Sequence, residues 1–406
     1  MRFLKKIKSF LTSKTLPGAS SKPSLKYVNT PELLAEACRA ISACPWAGVD
    51  TEGDSLHHYN EQLCLLQVTV KGGNFVIDPL VPLDLKGLAK ILSEKFVIFH
   101  GADFDVRILK KATGCFNPRV MFDTMLAAQI LGYERFGLAD LTEKICGIRL
   151  SKTAQKADWS RRPLTPDLLE YASGDTKYLE RIYLQMKKEL QKLGRLEWHR
   201  QACEKLLNSL NDIQNNQPRE EDPLRWQLRG SKDLSGRALT YLHGLWGWRE
   251  SEAKRMDRPS FKVLNTDYLL DMARWADQNR GQDITEWKEA PRHLHRQYRE
   301  KINAILKEAD LLPEMVFTAP DKVGKARRLR SGEEDKFGRL KEERLRLSQE
   351  FRIQPSVLVT NSVLETIVRQ QPRDLEEMRK IEGILPWQAE VLALRFVKIL
   401  HPGAKA

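Results

Sequence analysis

Period-two patterning is confined to the front of this 406-residue chain, and that confinement most restricts how it can fold. WAGVDTEGD (46–54) reads as a short strand. QLCLLQVTV (62–70) and FVIDPL (75–80) read as a hairpin around Lys71, Gly72, Gly73 and Asn74. KFVIFHGA (95–102) reads as a further strand. The spacing elsewhere is helical. PELLAEACRAISA (31–43) is a predicted helix with Thr30 as N-cap and Pro31 at the first helical position. LKGLAKILS (85–93) and FDTMLAAQILG (122–132) are predicted helices as well. So is DFDVRILKKATG (103–114), with Asp103 as N-cap and Gly114 at its end. One long helix is predicted from Pro166 to 193. A strand, a hairpin, then alternating helices and strand make a mixed α/β domain of about 200 residues. Polar, Asn/Gln-rich residues 208–223 mark a linker, and everything beyond them is predicted helical.

The net charge of +13 and pI near 9.4 favour a polyanionic partner, nucleic acid or an anionic membrane. Seven of those charges lie within residues 1–28, which contain no acid. The body of the chain is therefore only mildly basic. The basic start could be an amphipathic membrane-surface helix or a targeting segment, and the default expectation is a solvated tail. The six cysteines form no C-x-x-C pair, so reduced thiols and a cytoplasmic setting are expected. There is no H-E-x-x-H, no phosphate loop and no apolar run of about 18 residues that could cross a membrane.

Asp50 and Glu52 are two apart in a strand, which places both carboxylates on one face with Val49 and Thr51 on the other. Like charges so placed repel. Either a divalent cation relieves them, or the strand end has simply run into solvent. In the long helix, Tyr171, Asp175, Tyr178, Leu179, Ile182 and Met186 share a stripe. Asp175 thus faces the core, which is costly unless it is ion-paired or holds a metal. Asp103 and Asp105 point to different faces of their helix, and Asp105 shares the inward stripe with Ile108, Leu109 and Ala112. Four carboxylates from a strand, a helix start and a late helix could converge on one cleft. Oxygen ligands alone suit Mg²⁺ or Mn²⁺, two of which about 3.5–4 Å apart would clamp a phosphodiester. Asp54 is expected at the surface or in a turn, and His57 and His58 as solvated loop residues. Asp123 is expected to hold its helix near the cleft.

VDTEGD, HGADFDV and YASGD, in that order, resemble the three exonuclease motifs of the DEDD superfamily. The Tyr171-x-x-x-Asp175 spacing is that of its tyrosine-bearing subgroup. FDTMLAA and KADWSRRPLTPDLLEYASGDTKYL look like ribonuclease D and the related nuclear exosome exonuclease. The resemblance implies an RNase H-like fold, a mixed sheet flanked by helices. It implies that Asp50, Glu52, Asp105 and Asp175 hold two divalent metal ions, with Tyr171 orienting or deprotonating the water. His100, Lys152 and Gln155 fall where relatives meet substrate. WRESEAKRMDRPSFKVL resembles an HRDC domain, and the region from Arg352 to Leu392 resembles a second, more divergent copy. Tryptophans mixed with basic residues in the first copy fit either a nucleic-acid face or a core.

The expected organisation is therefore a basic tail (1–24), an exonuclease domain (25–207), a linker (208–223) and a first HRDC domain (224–312). A charged linker (313–338) and a second HRDC-like domain (339–406) complete it. The expected activity is 3′→5′ hydrolysis of RNA at single-stranded 3′ ends, tRNA precursors among them, releasing nucleoside 5′-monophosphates. A DNA exonuclease on the same fold is the enzymatic alternative, and a catalytically dead nucleic-acid-binding scaffold is the other.

Overall fold

The structure, a computed structural model, describes residues 24–151, 153–215, 224–318 and 329–402. The basic tail up to residue 23 and Lys152 lie outside the described residues. The described chain falls into two compact units. One comprises 24–53, 62–215 and 329–402; the other comprises 54–61 and 224–318.

The first unit is built on six strands: β1 Ser24–Val28, β2 Trp46–Gly53, β3 Leu63–Val70, β4 Gly73–Ile77, β5 Phe96–Phe99 and β6 Val120–Asp123. Their order across the sheet is β1-β4-β3-β2-β5-β6. Only β3 runs against its neighbours; the β1–β4, β2–β5 and β5–β6 pairs are parallel. This is the mixed, RNase H-like sheet expected from the sequence. The two edge strands were not. β1 is short and pairs with β4 alone. β6 lies inside the stretch read as a helix, which begins only at Thr124 because Asp123 caps it by accepting from Met125 N and Leu126 N.

Alternation along the strands gives two cores. Val49, Leu66, Val68, Val97 and Phe99 face α1 (Pro31–Ala43), α2 (Lys86–Ser93) and α3 (Asp103–Thr113). Thr30 caps α1 as expected. The cap of α3 is Ala102, not Asp103, whose carboxylate instead pairs with Arg107 one turn on. Trp46, Phe96, Ile98 and Phe122 face the opposite side. There α4 (Thr124–Leu131), α5 (Leu138–Cys146) and α7 (Leu179–Lys192) pack.

The long helix predicted from Pro166 is two helices, α6 (Pro166–Lys177) and α7, broken at Tyr178. Ala172 of α6 packs over Leu65 and Val76, whereas Ile182 and Met186 of α7 pack over Phe96 and Phe122. A sheet twists between strands, so one straight helix cannot follow both surfaces. Helix α8 (Leu196–Asn215) runs on into the stretch whose polarity suggested a linker.

In the second unit, α9 (Gly236–Arg255), α10 (Ser260–Val263), α11 (Thr266–Gln278) and α12 (Arg299–Leu311) surround their own core. Trp226, Trp248 and Trp287 are buried in it and Trp246 packs against it, so the tryptophans fill the core rather than form a face. Asp54 is buried rather than at the surface, and its carbonyl accepts from His57 N and His58 N, which forms the turn that was the other expectation.

The C-terminal helices are α13 (Ser331–Phe351), α14 (Pro355–Leu358), α15 (Asn361–Gln370), α16 (Leu375–Arg379) and α17 (Pro386–Leu400). Among the described residues no helix is long and apolar enough to cross a membrane.

Candidate active site

The site forms where β2 outruns β5. The two strands pair only from Trp46 to Gly48, so from Val49 onward that edge of β2 is open to whatever follows β5. Asp50 and Glu52 project from this stretch toward α6, on the face opposite Val49 and Thr51. Gly48, two residues earlier, shares their face. A Cβ at Gly48 would stand 3.3 Å from Thr176 O and 3.4 Å from Leu179 Cβ. Its absence lets the junction of α6 and α7 lie close on the strand, which brings Asp175 over Asp50. One oxygen each of Asp50, Glu52 and Asp175 lies within 4.8 Å of the others.

Asp105 arrives from the other face. Thr51 Oγ1 donates to Asp105 Oδ1 at 2.6 Å, and both side chains are buried. Asp105 raises the pKa of both Asp50 and Glu52, so its charge is felt across the strand. Asp123 anchors the start of α3: its carboxylate accepts from Gly101 N and Ala102 N at 3.0 and 2.9 Å. The same carboxylate caps α4. One buried side chain therefore ties the ends of two parallel strands to the helices that follow them.

Tyr171, one turn before Asp175, stands on a scaffold made by the D-W-x-x-R-P-L stretch. The Trp159 and Tyr171 rings lie 5.9 Å apart, and Trp159 is buried. Arg162 makes a forked pair with the fully buried Asp78, at 2.6 Å from Nε and 2.7 Å from Nη2, and also donates to Trp159 O. Those motif residues hold the tyrosine wall in place.

Loss of water and mutual repulsion dominate the electrostatics. Burial, then Asp105, Asp175 and Glu52, push Asp50 well above the usual carboxylate range. Burial with Asp175 and Asp105 pushes Glu52 up to about 9. Burial carries Asp105 up to about 7, against the Thr51 hydrogen bond, and Asp175 up to about 7. Among the described residues Asp175 makes no ion pair. Three half-buried carboxylates and the buried Asp105, with no basic partner among the described residues, fit a divalent cation: the donors are all oxygen, and the cation would remove the repulsion.

The cavity in front of these groups has a volume of about 340 Å³. Asp50, Glu52, Tyr171, Asp175, His100 and Gln155 all line it. Asp105 sits behind Thr51. The apolar wall of Leu138, Ala139 and Leu150 was not read from the sequence; a glycine before a helix start, Gly137-Leu138, was its only local signal.

A family model described as 3′-5′ exonuclease matches residues 25–191, and an HRDC domain model matches 333–400. The latter is the copy read as more divergent. A ribonuclease D of Sphingobium indicum is 34% identical over 245 residues, which cover 59% of this chain and 61% of that protein. The chain thus spans less than two thirds of that relative's length. A ribonuclease D of Xanthomonas oryzae pv. oryzae is 28% identical over 82% of this chain and 89% of its own length. The crystal structure of Escherichia coli RNase D matches with a TM-score of 0.65 over 94% of this chain and 100% of that one, at 23% identity, so the fold is shared. The ordered motifs, the sheet and these matches agree: the chain carries a 3′-5′ exonuclease domain and an HRDC domain and is similar to ribonuclease D.

Proposed function

We propose that this chain hydrolyses RNA stepwise from its 3′ end and releases nucleoside 5′-monophosphates. The observation that carries the reading is the triplet of carboxylate oxygens within 4.8 Å of one another on the wall of a nucleotide-sized cavity. Asp50, Glu52 and Asp175 would hold divalent cations, Mg²⁺ or Mn²⁺, with Asp105 completing a pair of sites from behind Thr51. Bound there, two cations supply Lewis acidity, making a water more acidic and offsetting charge on the phosphate.

Tyr171 orients that water. Burial and the neighbouring carboxylates push its phenol far above the ordinary range, and its place one turn before Asp175 on the cavity wall supports a role in holding the water by hydrogen bonding. Gln155 and His100 line the rest of the cavity and would meet the terminal nucleotide; Lys152, expected there too, lies outside the described residues. The apolar wall at Leu138 and Leu150 excludes bulk water from the reacting bond.

The substrate is a single-stranded 3′ end. The Escherichia coli relative is described as an exoribonuclease involved in structured RNA processing, and 3′ trimming of tRNA precursors is the corresponding task here. We assign 25–207 as the nuclease domain, 224–312 and 339–406 as two HRDC-like RNA-binding modules, and the cytoplasm, where all six unbridged cysteines would stay reduced, as the setting.

The test uses 3′- and 5′-labelled RNA and DNA oligonucleotides with Mg²⁺, Mn²⁺ or EDTA. Mononucleotides should appear from the RNA 3′ end and stop with EDTA; EDTA-insensitive cleavage would overturn the reading. Faster loss of the DNA oligonucleotide would identify a DNA exonuclease instead. Asp175→Asn should lower turnover by roughly a thousandfold or more while RNA binding persists.

A further inference from the structure

Beneath α6 the sheet carries polar side chains where a core would ordinarily be apolar. Thr69 of β3 and Asn74 of β4 are both buried there. Each has a task. Thr69 Oγ1 lies 2.7 Å from Thr176 Oγ1, and Asn74 Nδ2 donates to Ser173 O at 2.9 Å, so both tie α6 to the sheet. Gln67, two residues before Thr69, shares that face of β3. It makes no such tie. Gln67 is 0% exposed, and among the described residues neither its amide nitrogen nor its amide oxygen has a hydrogen-bond partner.

The strand register fixes what stands beside it. Gln67 is directly opposite Asp50 in the antiparallel pair of β2 and β3. Residues so placed share a face, with Cβ atoms about 4.5–5.5 Å apart. On its other flank Gln67 faces Val76, and Leu65 precedes it on the same face; both are fully buried and apolar. The amide nitrogen carries two hydrogens. Asn74 Oδ1, diagonal to it and also without a partner, can take one. The acceptor directly opposite for the other is the Asp50 carboxylate.

A buried amide is costly when unpaired, and an apolar side chain of the same shape would avoid that cost. Its value lies in what it can do to a carboxylate. A lysine or arginine at this position would neutralise Asp50 and compete with a metal ion. A neutral N–H fixes the plane of the carboxylate and leaves its charge for the cation. Carboxylate ligands of metals are commonly held by such outer hydrogen bonds. We propose that Gln67 is a positioning residue for the cation site: its amide donates to one oxygen of Asp50 and turns the other toward Glu52 and Asp175. This rests on the reading of those carboxylates as a divalent-cation site.

The experiment strips the full chain with chelator and titrates it with Mn²⁺, following the free ion by electron paramagnetic resonance. Melting temperatures are recorded with and without the ion. Gln67→Met, close in length and apolar, should melt without cation at or above the wild-type temperature, because it removes an unpaired amide. Its dissociation constant for Mn²⁺ should rise about tenfold. If Gln67→Met binds Mn²⁺ as tightly as wild type, the proposal fails and the cation site stands. Weaker binding together with a lower melting temperature without cation would make Gln67 part of the α6 contact, which also overturns the proposal. Wild type that binds no Mn²⁺ would refute the cation reading and the role of Gln67 with it. If Gln67→Met does not fold, a crystal structure of wild type with Mn²⁺ decides. Gln67 Nε2 should then lie about 3 Å from an Asp50 oxygen. An amide bonded to Asn74 or to trapped water alone would refute the assignment.

Discussion

Residues 224–318 and 329–402 are both helical, yet they close their cores in different company. The first region fills its core with Trp226, Trp248, Trp287 and aliphatic neighbours, and the one ring it takes from elsewhere in the sequence is Tyr59, among the described residues. The second is welded to the nuclease helix α8. Trp387 stacks on Trp198 at 4.1 Å with the planes 12° apart. Arg195 donates to Phe351 O and Trp387 N donates to Gln201 Oε1. Helical character alone therefore says little about coupling: the helices farther along the chain are the ones built into the catalytic unit.

The largest effect that could break this contrast is on Trp387. Trp387→Ala empties a site that is 2% exposed and removes the stack, at a cost of about 3–5 kcal/mol. Calorimetry should show the nuclease transition falling together with the C-terminal helices, and RNA trimming should be lost at the same temperature. Trp248→Ala should cost a similar amount in a different transition. If Trp387→Ala instead melts the C-terminal helices alone and leaves the nuclease intact, the two regions are equivalent after all.

Gly132 sharpens the same point through the backbone. It ends α4 at φ +80°, and a Cβ there would stand 1.8 Å from Arg352 O. Nothing flexible can yield, because the obstacle is backbone. Gly132→Ala should destabilise the catalytic unit by about 2–4 kcal/mol and leave the other transition in place. An unchanged melt would mean that the α4 end and Arg352 are not held together in solution.

These contacts also show where sequence reading runs out. The Asp50/Glu52 pair was legible because period two is a local rule, and Asp105 because α3 has a clear inward stripe. The role of Thr51 was not legible: it depends on β2 and α3 meeting on one face, a fact of topology. The break at Tyr178 was hidden for a similar reason. Its stripe is continuous in sequence, and only the two surfaces beneath it reveal that one helix cannot serve both. Asp103 looked like a cap because it opens a helix. Asp123, distant in sequence and adjacent across a parallel strand pair, supplies the backbone bonds at that helix start instead.

Acid should separate the units more gently. His199 in α8 is 2% exposed and its Nε2 donates to Asp123 O at 3.0 Å. Burial holds its pKa down at about 4. The unfolded chain has the ordinary value of about 6.5, so between these limits the unfolded state binds the extra proton. Stability from this residue is complete above pH 6.5 or so and is lost as pH falls toward 4, by on the order of 3 kcal/mol in all. His199→Gln keeps an N–H donor without the titration. The carboxylates of the site titrate in both proteins and cancel in the difference. Melts at several pH values should therefore show wild type losing more than the variant, in the catalytic transition alone. Parallel pH profiles would refute the assignment.

The smallest test concerns the segment that follows Glu52. Residues 54–61 belong to the unit of the first helical region, where Tyr59 OH donates to Glu250 Oε2 at 3.3 Å and Tyr59 N donates to Asp257 Oδ1 at 3.2 Å. Tyr59→Phe keeps the ring in the core and removes only the hydroxyl, a loss of about 0.5–1 kcal/mol. That loss should appear in the transition of residues 224–318 and not in the catalytic one. A shift in the catalytic transition would mean that the segment draws its order from the strand carrying Glu52 rather than from the helices.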